Sequence, residues 1–329
     1  MKILHILQSL DVQEGGGVTS RNLKLIEYLE KYKIDNYIIS SETKNKRNNL
    51  SFINKSRILF LRTIYIGKYP LPIPKFIKLI KLVKKVDVVH FSNFWHLLNI
   101  YAFLICRIYS KKYVLCPAGA LTIFGESKFL KYLYKILIGN SIVRNSSRIV
   151  AITEKEKKEI LNLGINKKKL ITIPNGIDSY EGESIDYKFK ETFKKYKPFI
   201  LFMGRLNFIK GPDILLKAFT EVSREFPSYN LVFAGPDEGM AHILKKEAKK
   251  YEINKKVYFL GFVNKIKKDY LYKNATVLVI PSRSEAMSLV VLEAGINGLI
   301  SIFTNVCGLE IIEKNNLGIS VDVNHHSIA

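Results

Sequence analysis

Cysteine is scarce. Cys106, Cys116 and Cys307 are the three in 329 residues, and no two of them share a CxxC or metal-ligand spacing. Neither a disulfide scaffold nor a zinc site is therefore expected. Long apolar runs are also lacking. The stretch Phe94–Tyr109 contains His96 and Asn99 and closes on Arg107, too short and too polar to span a bilayer. The opening Met1-Lys-Ile-Leu-His-Ile-Leu resembles a signal peptide for a few residues only. No small-residue cleavage site follows, and Asp11 and Glu14 come next. A cytoplasmic chain is the expectation. Acidic residues are thin in the first half, where residues 1–180 hold 12 Asp/Glu against 31 Lys/Arg. Residues 181–329 hold 17 against 21, and the 12 basic residues between Glu42 and Asp87 meet no acidic one. A drift in composition would load both halves alike. An anionic partner for the first half is expected, with nucleic acid and anionic lipid as candidates.

What is present is an ordinary globular composition, 47% apolar and 25% charged, with a mean hydropathy of +0.04. That excludes disorder and a polytopic membrane protein. The length suggests two domains. The first opens with an apolar strand, Lys2–Leu10, a glycine turn, Gly15–Gly17, and an amphipathic helix over Val18–Tyr32. Strands are expected at Tyr37–Ser40, Val86–Phe91, Tyr113–Pro117 and Arg148–Thr153, with helices at Lys75–Lys85, Trp95–Tyr109 and Lys128–Asn145 between them. The second half repeats the alternation. Strands are expected at Pro198–Gly204, Asn230–Gly235, Val257–Phe262, Thr276–Pro281 and Ile300–Thr304, and helices at Pro212–Phe226, Gly239–Tyr251 and Ser288–Asn297. This is the pattern of parallel α/β sheets covered on both faces. Domains of 1–180 and 190–329 are expected, joined through the polar stretch Asn175–Glu191 and facing one another across a cleft.

The sharpest local signal is Pro281-Ser-Arg-Ser-Glu285-Ala-Met-Ser-Leu-Val-Val-Leu-Glu293. Glu285 falls in the loop after a strand and Glu293 on the following helix. The amides of Met287, Ser288 and Leu289 between them are expected to point freely out of the helix N-terminus, as a seat for phosphate. A carboxylate near that seat can accept from two vicinal hydroxyls, as a ribose presents. A surface helix also carries glutamates at this spacing without function. Gly204-Arg205-Leu-Asn-Phe-Ile-Lys210-Gly211 supplies cations in the loop layer above the same sheet, able to neutralise a departing diphosphate. Solvated loop lysines are the plain alternative.

Together these segments resemble glycosyltransferase family four, the retaining GT-B transferases that use nucleotide sugars. The likeness runs in order along nearly the whole chain. It takes in Gly15–Gly17, Asp87-Val-Val-His90, Ala151-Ile-Thr-Glu154, Pro174-Asn-Gly-Ile-Asp178 and Gly204–Gly211. It continues through Leu231–Gly235, Val257–Phe262 and the E-x7-E element Glu285–Glu293. The resemblance implies that the second domain holds the nucleotide sugar and the first the acceptor, a glycan or a lipid-linked sugar. By matching positions, Arg205 and Lys210 hold the pyrophosphate in the loop that Gly204 opens, and Glu293 holds the ribose. Glu285 faces the transferred sugar, the Gly16 and Gly17 amides approach it, and Phe262 and Val263 line the base pocket. Cell-surface polysaccharide assembly is the implied setting.

The sequence also departs from that pattern. Where many members carry a histidine, Ala118 and Ser92 stand here, while His5 and His90 read as structural and no general base is assigned. No D-x-D motif occurs, Asp322-Val-Asn324 being nearest, so no metal and no cofactor beyond the donor sugar is expected. The family normally continues for several helices beyond the last residues of this sequence. A truncated relative that binds without turnover is therefore the alternative reading. Nucleic acid is disfavoured as the partner, because no helix-turn-helix, RNP-type or zinc element appears. A nicotinamide oxidoreductase is weaker still, since the first strand leads into Gly-Gly-Gly rather than G-x-G-x-x-G. The helix at Pro74–Val86 pairs Phe76, Leu79, Ile80 and Val83 with Lys78, Lys81 and Lys85. Its expected role is structural, with a basic face able to meet an anionic membrane surface at the cytoplasmic side.

Overall fold

The computed structural model describes residues 1–42, 51–67, 69–124, 127–178 and 187–329. It separates into two compact units, Met1–Gly176 and Ile177–Ala329. Much of the expected linker, residues 179–186, lies outside the described residues, as do residues 43–50 of the basic stretch.

The first unit is built on β1 (Lys2–Leu7), β2 (Asp35–Ser41), β3 (Ile58–Leu61), the hairpin strands β4 (Thr63–Ile66) and β5 (Tyr69–Pro72), then β6 (Val88–Ser92), β7 (Tyr113–Cys116), β8 (Arg148–Ala151) and β9 (Leu170–Thr172). Seven of these form one parallel sheet in the order β3-β2-β1-β6-β7-β8-β9. The short β3, β9 and the β4–β5 hairpin were not legible in the sequence, because three or four residues carry too little periodicity. Helices α1 (Val12–Lys31), α2 (Phe76–Lys85), α3 (Leu97–Ile108), α4 (Lys128–Tyr134), α5 (Asn140–Arg144) and α6 (Glu154–Asn162) connect the strands, with a π turn at Lys135–Gly139 between α4 and α5. The glycine turn is absorbed into α1, which starts at Val12 rather than Val18 and is broken at Gly16 (φ 58°, ψ −144°). Leu79 and Val83 of α2 are fully buried in the main core, as a structural helix requires.

Beneath α1 lies a polar seam. The Asn36 side-chain amide donates to Glu30 and to the Ile34 carbonyl, so its Oδ1 is left as an acceptor, 2.9 Å from His5 Nε2. His5 therefore carries its proton on Nε2 and accepts at Nδ1 from His90 Nδ1, 3.0 Å away. His90 sits in the middle of β6 and is paired in register with His5. Burial holds His5 and His96 down to about 4 and lowers His90 as well. Unfolded imidazoles take a proton below about pH 6.5, whereas the folded ones resist until about pH 4. The first unit should thus lose stability as pH falls through that window, by about 1.4 kcal/mol per pH unit for each histidine. Glu156, whose carboxyl burial pushes up, opposes this with one proton. Urea midpoints at about pH 7 and about pH 5 test this: the acid midpoint should be lower, and equal midpoints would contradict the histidine seam.

The second unit holds β10 (Phe199–Met203), β11 (Asn230–Ala234), β12 (Val257–Gly261), β13 (Val277–Ile280), β14 (Ser301–Thr304) and β15 (Ile319–Val321). They form a parallel sheet in the order β12-β11-β10-β13-β14-β15. Every residue of β10, FILFM, is buried, which is what a strand covered on both faces demands. Around it run α7 (Tyr187–Lys194), α8 (Pro212–Glu225), α9 (Ala241–Lys250), α10 (Lys265–Asn274), α11 (Leu289–Ile296), α12 (Glu310–Lys314) and α13 (His325–Ile328). Both units are Rossmann-like.

Candidate active site

In the second sheet the chain winds outward from β10 in one direction and from β13 in the other. Neighbouring strands whose connections leave to opposite sides open a crevice beyond their carboxyl ends, where α/β sheets bind ligands. The loop after β10 carries Gly204, Arg205 and Lys210, and the loop after β13 carries Glu285, Met287 and Ser288. The topology thus brings the two separately read segments to one crevice.

Within it the Lys210 ammonium donates to Glu285 Oε1, which also accepts from Ser282 Oγ at 3.3 Å. Their side chains are 23% and 14% exposed, so the pair is poorly hydrated and strongly coupled. Arg283, which sequence reasoning passed over inside its own motif, ties the two loops together. Its guanidinium meets Asp213 with two bonds of 2.8 and 2.6 Å and lies 3.9 Å from the Phe208 ring centroid. Its amide donates to the Ile209 carbonyl at 2.7 Å. Gly211, at φ +66°, ends the Lys210 turn so tightly that a Cβ there would fall 2.1 Å from the Pro281 carbonyl oxygen.

Arg205 is held differently. The loops after β10 and β11 are zipped by Leu206 N to Pro236 O (2.9 Å) and Glu238 N to Leu206 O (3.1 Å). This sets Arg205 Nη1 2.9 Å and Asn207 Nδ2 2.6 Å from the Glu238 carboxylate, at the solvent edge. A diphosphate would have to draw Arg205 away from Glu238.

At the start of α11 the expectation of three free amides needs correction. The helix begins at Leu289, and the Ser288 amide donates to the Cys307 carbonyl at 3.1 Å. Among the described residues, the Met287 and Leu289 amides have no acceptor. Glu293 lies one turn further on, accepting from Lys268 Nζ (2.8 Å) and from the Tyr272 hydroxyl (2.9 Å). A carboxylate offers about four lone-pair positions, so two remain for vicinal hydroxyls. Helix α10, which supplies Lys268 and Tyr272, was not singled out from sequence. Its apolar pattern is too weak. Phe262 is 53% exposed and Val263 packs on the core beside it.

The first sheet has the same switch between β1 and β6. The loop after β1 leads into Gly15–Gly17. The loop after β6 holds Asn93, in the left-handed region at φ 67°, and the buried His96. His96 Nε2 lies 3.0 Å from the Ser92 carbonyl, so Nε2 is its protonated nitrogen, and Nδ1 has no partner among the described residues. Arg21 reaches Cys116 Sγ (3.1 Å) and Asn175 Oδ1 (3.4 Å) from α1, and buried Glu156 accepts from the Gly119 and Ile152 amides. Among the described residues, Glu221, His325 and His326 could share a metal ion, but they sit on α8 and α13, away from Lys210 in the turn before α8.

Comparison with known proteins gives the family and the fold. The family model described as Glycosyltransferase Family 4 matches residues 15–180, more than half of the chain, and that described as Glycosyl transferases group 1 matches residues 183–329. The chain belongs to glycosyltransferase family four. A 41.2 kDa uncharacterized protein of the cps region of Klebsiella pneumoniae is 28% identical to this transferase-family chain over 333 residues, covering 98% of it and 86% of the relative. An uncharacterized glycosyltransferase of Methanocaldococcus jannaschii is 32% identical over 185 residues, 54% of this chain. The match spans only 47% of that relative's length. An O-antigen biosynthesis glycosyltransferase of Escherichia coli is 30% identical over 166 residues, 49% of this chain and 43% of its own. Among solved structures, Anabaena HepE in complex with UDP and glucose superposes with a TM-score of 0.79 at 15% identity, covering all of this chain and 88% of its own. The fold of this family member is thus GT-B. Among its described residues no helix is long and apolar enough to cross a membrane.

Proposed function

We propose that this protein transfers a hexose-like unit from a nucleoside diphosphate sugar to a glycan or lipid-linked acceptor, with retention at the anomeric carbon, in cell-surface polysaccharide assembly. The observation that carries this reading is the convergence of Lys210, Glu285 and the Met287–Leu289 helix start on one switch-point crevice, with Arg205 at its rim. Lys210 and Arg205 neutralise the diphosphate as the glycosidic C–O bond breaks, and Glu293 holds the ribose hydroxyls. The departing phosphate oxygen takes the acceptor's hydroxyl proton as the new C–O bond forms on the same face, so no strong side-chain base is needed. The UDP in the HepE structure and the O-antigen role named for the E. coli relative lend support.

A thermal-shift panel of UDP-, GDP- and ADP-sugars, followed by transfer assays with the stabilising donor, tests the proposal. One donor class should raise the melting temperature and yield a product of unchanged anomeric configuration. No shift with any donor would overturn it. Because fixed cations and helix amides do the charge work, transfer should continue in excess EDTA. Activity abolished by chelation and restored by magnesium would show a missed ligand set. The basic surface of residues 1–180 is proposed to face an anionic membrane, with the enzyme peripheral at the cytoplasmic side.

A further inference from the structure

A water-facing helix of a globular protein presents polar side chains outward. The helical segment from α4 through the π turn does the reverse. Phe129, Leu130, Tyr132, Leu133, Ile136 and Leu137 are all exposed, Phe129 at 75% and Leu137 at 67%. On a helix of 3.6 residues per turn these six fall within an arc of about 160°. Phe124, in the loop before α4, is exposed as well. The opposite side faces the protein. The Tyr134 hydroxyl donates to the Phe94 carbonyl at 2.8 Å, its ring meets Phe94 and Trp95, and Ile138 packs on the core. A Cβ at Gly139 would come within 2.9 Å of the Phe94 ring, so this glycine lets the helix lie close. The outward apolar face is therefore fixed by packing, and its six contiguous large side chains exceed the scattered exposure common on soluble surfaces.

The surroundings of this face say what covers it. Lys128, Lys131 and Lys135 border one side of the apolar arc, Lys131 donating to the Phe124 carbonyl at 2.7 Å, and residues 124–153 contain five basic residues against one acidic, Glu126. An apolar face bordered by lysines matches an anionic bilayer, with the rings and leucines in the acyl boundary and the ammonium groups among the headgroups. A second copy of the chain would set these lysines against one another, at a cost in repulsion.

We infer that the Phe129–Leu137 face inserts into the surface of an anionic bilayer and, through the Tyr134 and Gly139 contacts with Phe94, holds the loop after β6 close to the headgroups. This rests on the membrane reading above and deepens it, moving the docking element from the basic face of α2 to the apolar face of α4. It also favours a lipid-linked acceptor, because that loop lies at the switch point of the first sheet.

The test is sedimentation of the full chain with phosphatidylglycerol–phosphatidylethanolamine vesicles and with phosphatidylcholine vesicles, at about 0.15 M and about 0.5 M salt. Wild type should partition onto the anionic vesicles and keep a substantial share at the higher salt, since insertion is not screened. Replacing Phe129→Ser, Leu133→Ser and Leu137→Ser together should lower partitioning at least about tenfold without lowering the melting temperature. Leu137→Asp alone should lower it in the same direction, and Ile77→Ser, an equally exposed site on α2, should leave it unchanged. Wild-type binding by both α4 variants would overturn the α4 site while leaving the membrane reading standing. No vesicle binding by wild type would overturn both. A wild-type dimer dissolved by the triple substitution, without vesicle binding, would assign the face to a second copy instead. Transfer to a water-soluble acceptor, measured alongside, reports on the transferase reading independently.

Discussion

Lys210→Ala should lower kcat/KM for sugar transfer by about 3–4 kcal/mol, several hundred-fold, the scale seen when one preorganised group facing developing charge is removed. Lys210 is the cation best placed for this. It is three-quarters buried, sits in the switch-point crevice and is fixed by Glu285. Most of the loss should appear in kcat, because the charge on the leaving diphosphate grows as the bond breaks. Arg205→Ala should cost less, about 1–2 kcal/mol, since its guanidinium is 37% exposed and already spends one bond on Glu238. Steady-state kinetics on both variants, with the donor dissociation constant measured separately, decides the matter. A Lys210→Ala enzyme within about twofold of wild type would remove the crevice from the reaction.

Gly211→Ala should destabilise the second unit by about 3–5 kcal/mol. Two costs combine. The residue sits at φ +66°, and its Cβ would meet the Pro281 carbonyl oxygen at 2.1 Å and the Ile214 methyl at 3.3 Å. Neither backbone can retreat easily, because Arg283 locks the two loops through Asp213, Phe208 and the Ile209 carbonyl. Lys210 and Glu285 would then be forced apart, so activity should fall with stability. Gly295→Ala is the control. It lies in α11 with open space around its Cβ position, and should be neutral or stabilising by about 0.5–1 kcal/mol. Urea denaturation of the two variants gives the comparison, and equal midpoints would contradict the close approach at Gly211.

Much of this protein was legible in its residues. Continuous apolar runs such as Phe199–Met203, alternating with amphipathic helices, fixed two parallel α/β units, because a strand buried on both faces has no other composition open to it. The family resemblance rested on motif order, and motif order is a property of sequence. Arg205, Lys210, Glu285 and Glu293 could be named because they stand at the charged positions of motifs whose order along the chain resembles the family's, the first three in loops after strands and Glu293 on the following helix. Partners were not legible. That Lys210 pairs with Glu285, Arg205 with Glu238, and Glu293 with Lys268 and Tyr272 depends on which strands are neighbours, across separations of 75, 33, 25 and 21 residues. The Ser288 amide was expected to be free and is not, since the chain near Cys307 returns to take it. His90 and His5 share one hydrogen bond only because β1 and β6 lie side by side in register. The apolar face of α4 was hidden for the same reason: sequence period shows that a helix has two faces, and only packing against Phe94 and Trp95 decides which of them is turned to the outside.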